Sequence, residues 1–274
     1  MTLTLDVITL GVPEVRSAGR FYATALSCAV TGDRDDGDDS DAGDAGDVGD
    51  PVNLDLHGTG RLALSATGRL AAEPAAPGFR GYLLTYVLDR PAEVRALMDA
   101  AVRGGAEVLK PARKALFGSF SGVFRAPDGS VWKPVAATGK DTGSAAERPL
   151  PTETTLILGV SAPKASKAFY EALGMTADRD YGNKYIDFHP ARAAARLCLM
   201  ERGVLAKDAG ITEGGGGLSS TVLTHAAGSR QEVDALLASA AAAGGRITGG
   251  AAETAGGYSG SFSDPDGFLW KVTY

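Results

Sequence analysis

The sequence predicts an α+β fold written twice, each copy running βαβββ and then βαβββ. The main observation is self-similarity over nearly the whole chain. Within each copy, apolar positions also switch between the period of a strand and that of a helix. A Pro-Asp-Gly turn then closes both copies at the same place.

Short blocks carry the repeat. Leu10-Gly11-Val12 recurs as Leu158-Gly159-Val160, and Phe21-Tyr22 as Phe169-Tyr170, at an offset of 148. Glu93-Val94 returns as Glu232-Val233 at 139. Pro127-Asp128-Gly129-Ser130-Val131-Trp132-Lys133 returns as Pro265-Asp266-Gly267-Phe268-Leu269-Trp270-Lys271 at 138. The drop in offset falls across residues 33–50, which marks that stretch as a loop insertion in the first copy. A small, polar, proline-containing stretch separates the copies and has the composition of a linker. The predicted domains are 1–137 and 153–274, joined by 138–152.

Each element has a local reason. Leu3, Leu5 and Val7 alternate as a half-buried strand does, and so do Thr155 and Ile157. A proline, Pro13 or Pro163, opens the helix that follows. Ala18, Phe21, Tyr22 and Ala25 recur at helical spacing there, as do Ala165, Ala168, Phe169 and Ala172. Short strands are expected at 52–56, 61–65, 184–188 and 196–200. Strand 82–88 precedes helix 91–103, whose Val94, Leu97, Met98 and Ala101 form one stripe. Strand 221–226 precedes helix 230–243, where Ser229 and Glu232 are spaced as a capping box. Gly104-Gly105 and Gly244-Gly245 stop these helices. The last hairpins turn at Ala126-Pro127-Asp128-Gly129 and Asp264-Pro265-Asp266-Gly267, with proline and glycine where a type I turn prefers them.

Composition removes several classes. The chain has 274 residues, enough for about two domains, and is 44% hydrophobic. No apolar run is long enough to cross a membrane. The first residues lack the basic start of a secretory leader, so a cytoplasmic protein is expected. Cys28 and Cys198 fit buried free thiols in a reducing compartment. The net charge is −6, but residues 33–50 hold nine Asp against one Arg, so the rest of the chain stands at +2. Neither part offers a basic patch interleaved with aromatics, which argues against nucleic acid as a partner.

The opening Ile8-Thr9-Leu10-Gly11-Val12, the Phe-Tyr pairs and above all the stretch from Gly257 to Lys271 resemble the vicinal-oxygen-chelate superfamily, home of the glyoxalases and bleomycin-resistance proteins. The resemblance covers the chain except the Asp-rich run and the linker. It implies two tandem domains, each of two βαβββ modules with curved mixed sheets around a cleft. The tryptophans, Phe-Tyr pairs and turns are read as fold-makers. Because side chains alternate along a strand, Trp132 and Trp270 face the helices if Lys133 and Lys271 face the cleft.

In metal-dependent members of that superfamily, His, Gln or Glu on the first, fourth, fifth and eighth strands of a domain hold a divalent ion. The matching residues here are Val7 and Thr155, Ala63 and Cys198, Tyr82 and Thr221, and Lys133 and Lys271. None supplies an imidazole or carboxylate, and an ammonium repels a cation, so no metal and no other cofactor is expected.

His57 and His189 read as hairpin tips, whereas His225 lies on a strand that could reach the second cleft. The Asp-rich run lacks the glycine and closing glutamate of a calcium loop and reads as a solvated insertion. Gly214 to Gly217 read as a mobile loop without a phosphate-binding context.

These readings favour a metal-independent protein that holds a small, planar or aromatic molecule between modules, as drug-sequestering members do. The ligand-binding candidates are Tyr82, Phe120, Lys133, Thr155, Thr221, His225, Tyr258 and Lys271; no catalytic residue is assigned. The alternative is a glyoxalase-like lyase or isomerase that uses the cleft lysines or an atypical metal site. Single-domain relatives pair to complete their clefts, so the fused copies imply a monomer containing a pseudo-dimer, with a small-molecule ligand and no membrane partner.

Overall fold

The computed structural model describes residues 2–31, 52–66, 78–114, 119–141, 144–213, 221–254 and 256–274. The predicted insertion at 33–50 and the glycines at 214–217 lie outside them.

The chain forms four modules. The first runs β1 (Val7–Val12), α1 (Val15–Ala25), β2 (Ala29–Thr31), β3 (Val52–Asp55) and β4 (Arg61–Ala66). The second runs β5 (Tyr82–Leu88), α2 (Pro91–Arg103), β6 (Glu107–Lys114), β7 (Phe120–Arg125) and β8 (Val131–Ala136). The third is β9 (Glu153–Val160), α3 (Pro163–Ala172), β10 (Ala177–Asp180), β11 (Ile186–Phe188) and β12 (Arg196–Glu201), followed by α4 (Arg202–Ala209). The fourth is β13 (Thr221–Ala226), α5 (Arg230–Ala242), β14 (Arg246–Thr254), β15 (Gly257–Ser263) and β16 (Leu269–Thr273).

Local chemistry explains the ends. Pro163 is the first residue of α3, as expected, but α1 starts after Pro13 because Glu14 takes the cap. The Glu14 carboxylate accepts the backbone N–H groups of Arg16 and Ser17 at 2.8 and 2.6 Å. At α5, Ser229 Oγ accepts the N–H of Glu232 at 3.2 Å, while the Glu232 carboxylate accepts that of Gly228. Gly105 and Gly244 are left-handed, as are Gly129 and Gly267 in the closing turns. Helix α4 was not foreseen. Glu201 caps its start through the N–H groups of Gly203 and Val204, and left-handed Gly210 ends it.

Two eight-stranded mixed sheets result, in the orders β14-β15-β16-β13-β1-β4-β3-β2 and β10-β11-β12-β9-β5-β8-β7-β6. Within each module the first and last strands pair in parallel. Modules join antiparallel through their first strands, Val7 opposite Thr224 in one sheet and Thr85 opposite Thr155 in the other. The first module therefore shares a sheet with the fourth, and the second with the third. Each sheet thus takes one module from either half of the chain, whereas the resemblance led us to expect both modules of a cleft within one half.

Helical faces join the modules of each half. Tyr22 of α1 donates its hydroxyl to Asp128 beyond β7 at 2.6 Å, and Tyr170 of α3 donates to Asp264 beyond β15 at 2.6 Å. Trp132 and Trp270 are fully buried on the same faces, with centroids 5.7 and 6.0 Å from the rings of Tyr22 and Tyr170. Burial and the adjacent Asp128 push the Tyr22 phenol well above its ordinary range, so it remains a donor. The Phe-Tyr pairs and turns hold module to module.

Candidate ligand clefts

Strand alternation decides what each cleft contains. On β1, Ile8 and Leu10 enter the core, leaving Val7 and Thr9 on the concave face. On β16, Trp270 and Val272 enter the core, leaving Leu269 and Lys271 on that face. We call this concavity, formed by modules one and four, the first cleft; modules two and three form the second.

The first cleft holds an open cavity of about 600 Å³. Its walls are small and mostly apolar or hydroxylated, among them Thr9, Ala63, Val222, Ser261 and Leu269. Among the described residues Lys271 is the one charged residue that lines it, and its side chain has no ion-pair partner there.

The second cleft is different. Helix α4 lies in it and forms a separate hydrophobic cluster with the sheet: Leu205, Ala206 and Ala209 with Leu83, Val123 and Ile157. Asp208 reaches Lys133 at 2.6 Å, and Lys110 donates to the last carbonyls of the helix, those of Lys207 and Asp208, at 2.7 Å each. A cation at the carbonyl end of a helix is favourable, and here it bonds the Asp208 carbonyl together with that of Lys207, which also accepts the N–H of Gly210. Two polar recesses remain, of about 490 and 780 Å³. In the larger, Arg196 is already held by Glu153 at 2.9 Å and Asp178 at 2.7 Å.

The predicted site residues divide. Lys271 lines the first cleft, and Lys133 and Thr155 line the recesses of the second. The others point to the helical faces. Tyr82 is buried in the main core, where desolvation raises its phenol. Phe120 packs against that core under the guanidinium of Arg95. Tyr258 donates to Asp234 of α5 and lies beneath Arg230. Thr221 and His225 share the face of buried Leu223. His225 accepts the N–H of Thr4 on Nδ1 at 3.1 Å, and its buried Nε2 has no hydrogen-bond partner. His57 occupies a left-handed position in the β3–β4 turn and His189 is exposed. None of the three aromatic candidates, Tyr82, Phe120 and Tyr258, lines the first cleft or the recesses of the second.

A three-residue displacement caused part of this. Thr85 lies beside Lys133 and Thr224 beside Lys271 in the parallel pairings, so these threonines, not Tyr82 and Thr221, occupy the fifth-strand places. Val222 and Thr224, which do line the first cleft, were missed, as were Asp208 and its helix.

The metal that the resemblance implies does not fit. One cleft offers Val7, Ala63, Thr224 and Lys271 at the corresponding places, the other Thr155, Cys198, Thr85 and Lys133. Burial pushes the Cys198 thiol far up, and Tyr185 lies 3.0 Å from its sulfur, so a metal-binding thiolate is disfavoured. Among the described residues no three His, Cys, Asp or Glu side chains gather to hold an ion. No helix there is long and apolar enough to span a membrane.

Residues 154–272 match the family model described as Glyoxalase/Bleomycin resistance protein/Dioxygenase superfamily. Glyoxalase I from Zea mays is similar over 99% of this chain and 92% of its own, at 17% identity and a TM-score of 0.65. A putative dioxygenase from Bacillus subtilis is similar over 99% of this chain and 84% of its own, at 12% identity and a TM-score of 0.62. No curated protein matches the sequence.

Proposed function

For a chain that carries the fold of the glyoxalase/bleomycin-resistance/dioxygenase superfamily in tandem form, we propose that the first cleft binds a small molecule without a metal. The observation that carries this reading is Lys271, a cation with no ion-pair partner among the described residues, on the wall of an otherwise uncharged cavity of about 600 Å³. A concave, mostly apolar site with a few polar groups is the usual form of a small-molecule pocket. Its small side chains leave room for a small molecule, and Lys271 pairs with an anionic or carbonyl-rich group. The chain acts by sequestration: bound ligand is held away from solvent and no bond is broken. We derive no metal-assisted step, because the positions that would ligate an ion carry none of the needed donors.

A thermal-shift screen of planar antibiotics and metabolites, followed by calorimetry, tests the proposal. Hits should bind one per chain and be lost in Ser261→Phe, which fills the cavity from a half-buried wall position. Hits that bind Ser261→Phe as well as the parent would place the ligand elsewhere, and zinc or nickel needed for binding would contradict the metal-free reading.

A further inference from the structure

The second cleft contains an occupant of its own, and that occupant indicates what the first cleft takes. Helix α4 presents an aliphatic body, Leu205 with Ala206 and Ala209, and next to it one carboxylate, Asp208, which meets Lys133 at 2.6 Å. The seat beneath this body includes Leu83, Val123, Val131, Ile157 and Cys198.

Strand register carries that seat across to the first cleft residue by residue. Leu83 pairs with Ile157, and Val222 with Thr9. Cys198 pairs with Ile157, and Ala63 with Thr9. Arg125 pairs with Val131, and Ser263 with Leu269. Lys133 sits beside Thr85 as Lys271 sits beside Thr224. The counterparts Thr9, Ala63, Val222, Ser261, Leu269 and Lys271 all line the open cavity.

One difference fixes the charge. Lys110 pairs with Val123, and Gly249 with Ser261, so glycine stands in the first cleft where Lys110 receives two helix carbonyls in the second. At these matched positions the first cleft therefore has one cation, Lys271, where the second has two, Lys110 and Lys133. We infer that the ligand of the first cleft is an aliphatic monocarboxylate: its carboxylate pairs with Lys271, and its hydrocarbon body lies over Ala63, Val222 and Leu269 as α4 lies over their counterparts. This rests on the binding function proposed above and narrows it to a chemical class.

Calorimetry on the full chain with octanoate, octan-1-ol and octanedioate tests it. Octanoate should bind one per chain, with the neutral alcohol and the dianion at least tenfold weaker. Lys271→Met, at an exposed position, should weaken octanoate at least tenfold and leave the alcohol unchanged. Equal binding of octanoate and the alcohol, or indifference of octanoate to Lys271→Met, would overturn the carboxylate. If no octyl probe binds while a planar compound binds in a manner lost in Ser261→Phe, the class falls and the binding function stands. If no compound binds in that manner, both fall.

Discussion

Tyr170 donates its hydroxyl to the buried carboxylate of Asp264 at 2.6 Å, and the Trp270 indole donates to that hydroxyl in turn at 3.3 Å. The other Asp264 oxygen accepts the N–H groups of Asp266 and Phe268. Burial outweighs these bonds and pushes the Asp264 carboxyl up to about 6 from 3.8. Between those values the folded chain holds a proton that the unfolded chain has released. The stabilising effect of this protonation is full below the unfolded value and is lost as pH rises through about 6. Melting curves should therefore show a smaller change in Tm between pH 5 and pH 7 in Asp264→Asn than in the parent. An unchanged difference would mean that Asp264 ionises as it does in the unfolded chain.

Helix α4 should owe its place to packing more than to charge. Leu205 is fully buried, and Leu205→Ala should cost about 2–5 kcal/mol in urea unfolding. Asp208 and Lys133 are partly exposed, so Asp208→Asn should cost no more than about 1 kcal/mol. A larger loss from Asp208→Asn than from Leu205→Ala would reverse this order.

Both thiols should be silent in the native protein. Cys28 and Cys198 are buried, and burial pushes Cys28 up to about 11 and Cys198 higher still. A thiol reagent at pH 8 should titrate neither until denaturant is added, and then both. Rapid labelling of one thiol in native buffer would contradict the packing of its strand.

The Tyr22 hydroxyl ties the first module to the second through Asp128 and lies 2.7 Å from Ser130 Oγ. Tyr22→Phe leaves a buried carboxylate short of a donor and should cost about 1–3 kcal/mol by chemical denaturation. A change below about 0.5 kcal/mol would show that the contact adds nothing net.

The repeat was legible because the features that join modules recur as letters: Phe-Tyr on a helix, and Pro-Asp-Gly before Trp-Lys. The facing of Lys133 and Lys271 followed from alternation beside a tryptophan. The facing of Tyr82 did not, because β5 reads Tyr-Leu-Leu-Thr-Tyr-Val-Leu, a nearly continuous apolar run in which a period of two is invisible. Tyr258 and Phe120 failed for a related reason: an aromatic ring suits a cleft wall and the flank of a helix equally. Module pairing was not readable at all, since nothing in β1 distinguishes β5 from β13 as a partner. Nor was α4, a short helix that ends in Gly210 and carries little amphipathic pattern of its own; its place depends on a seat formed by β5, β7, β8, β9 and β12.

The crossed pairing of modules has a consequence for any attempt to divide the molecule. Neither half owns a complete cavity among the described residues, since each concave sheet is contributed jointly by strands before and after the β8–β9 connection. A chain severed within 138–152 would remain interlocked, its pieces held by two antiparallel seams. Either piece alone would display the bare edge of β1 and β5 or of β9 and β13, and would seek a second copy of itself to cover it.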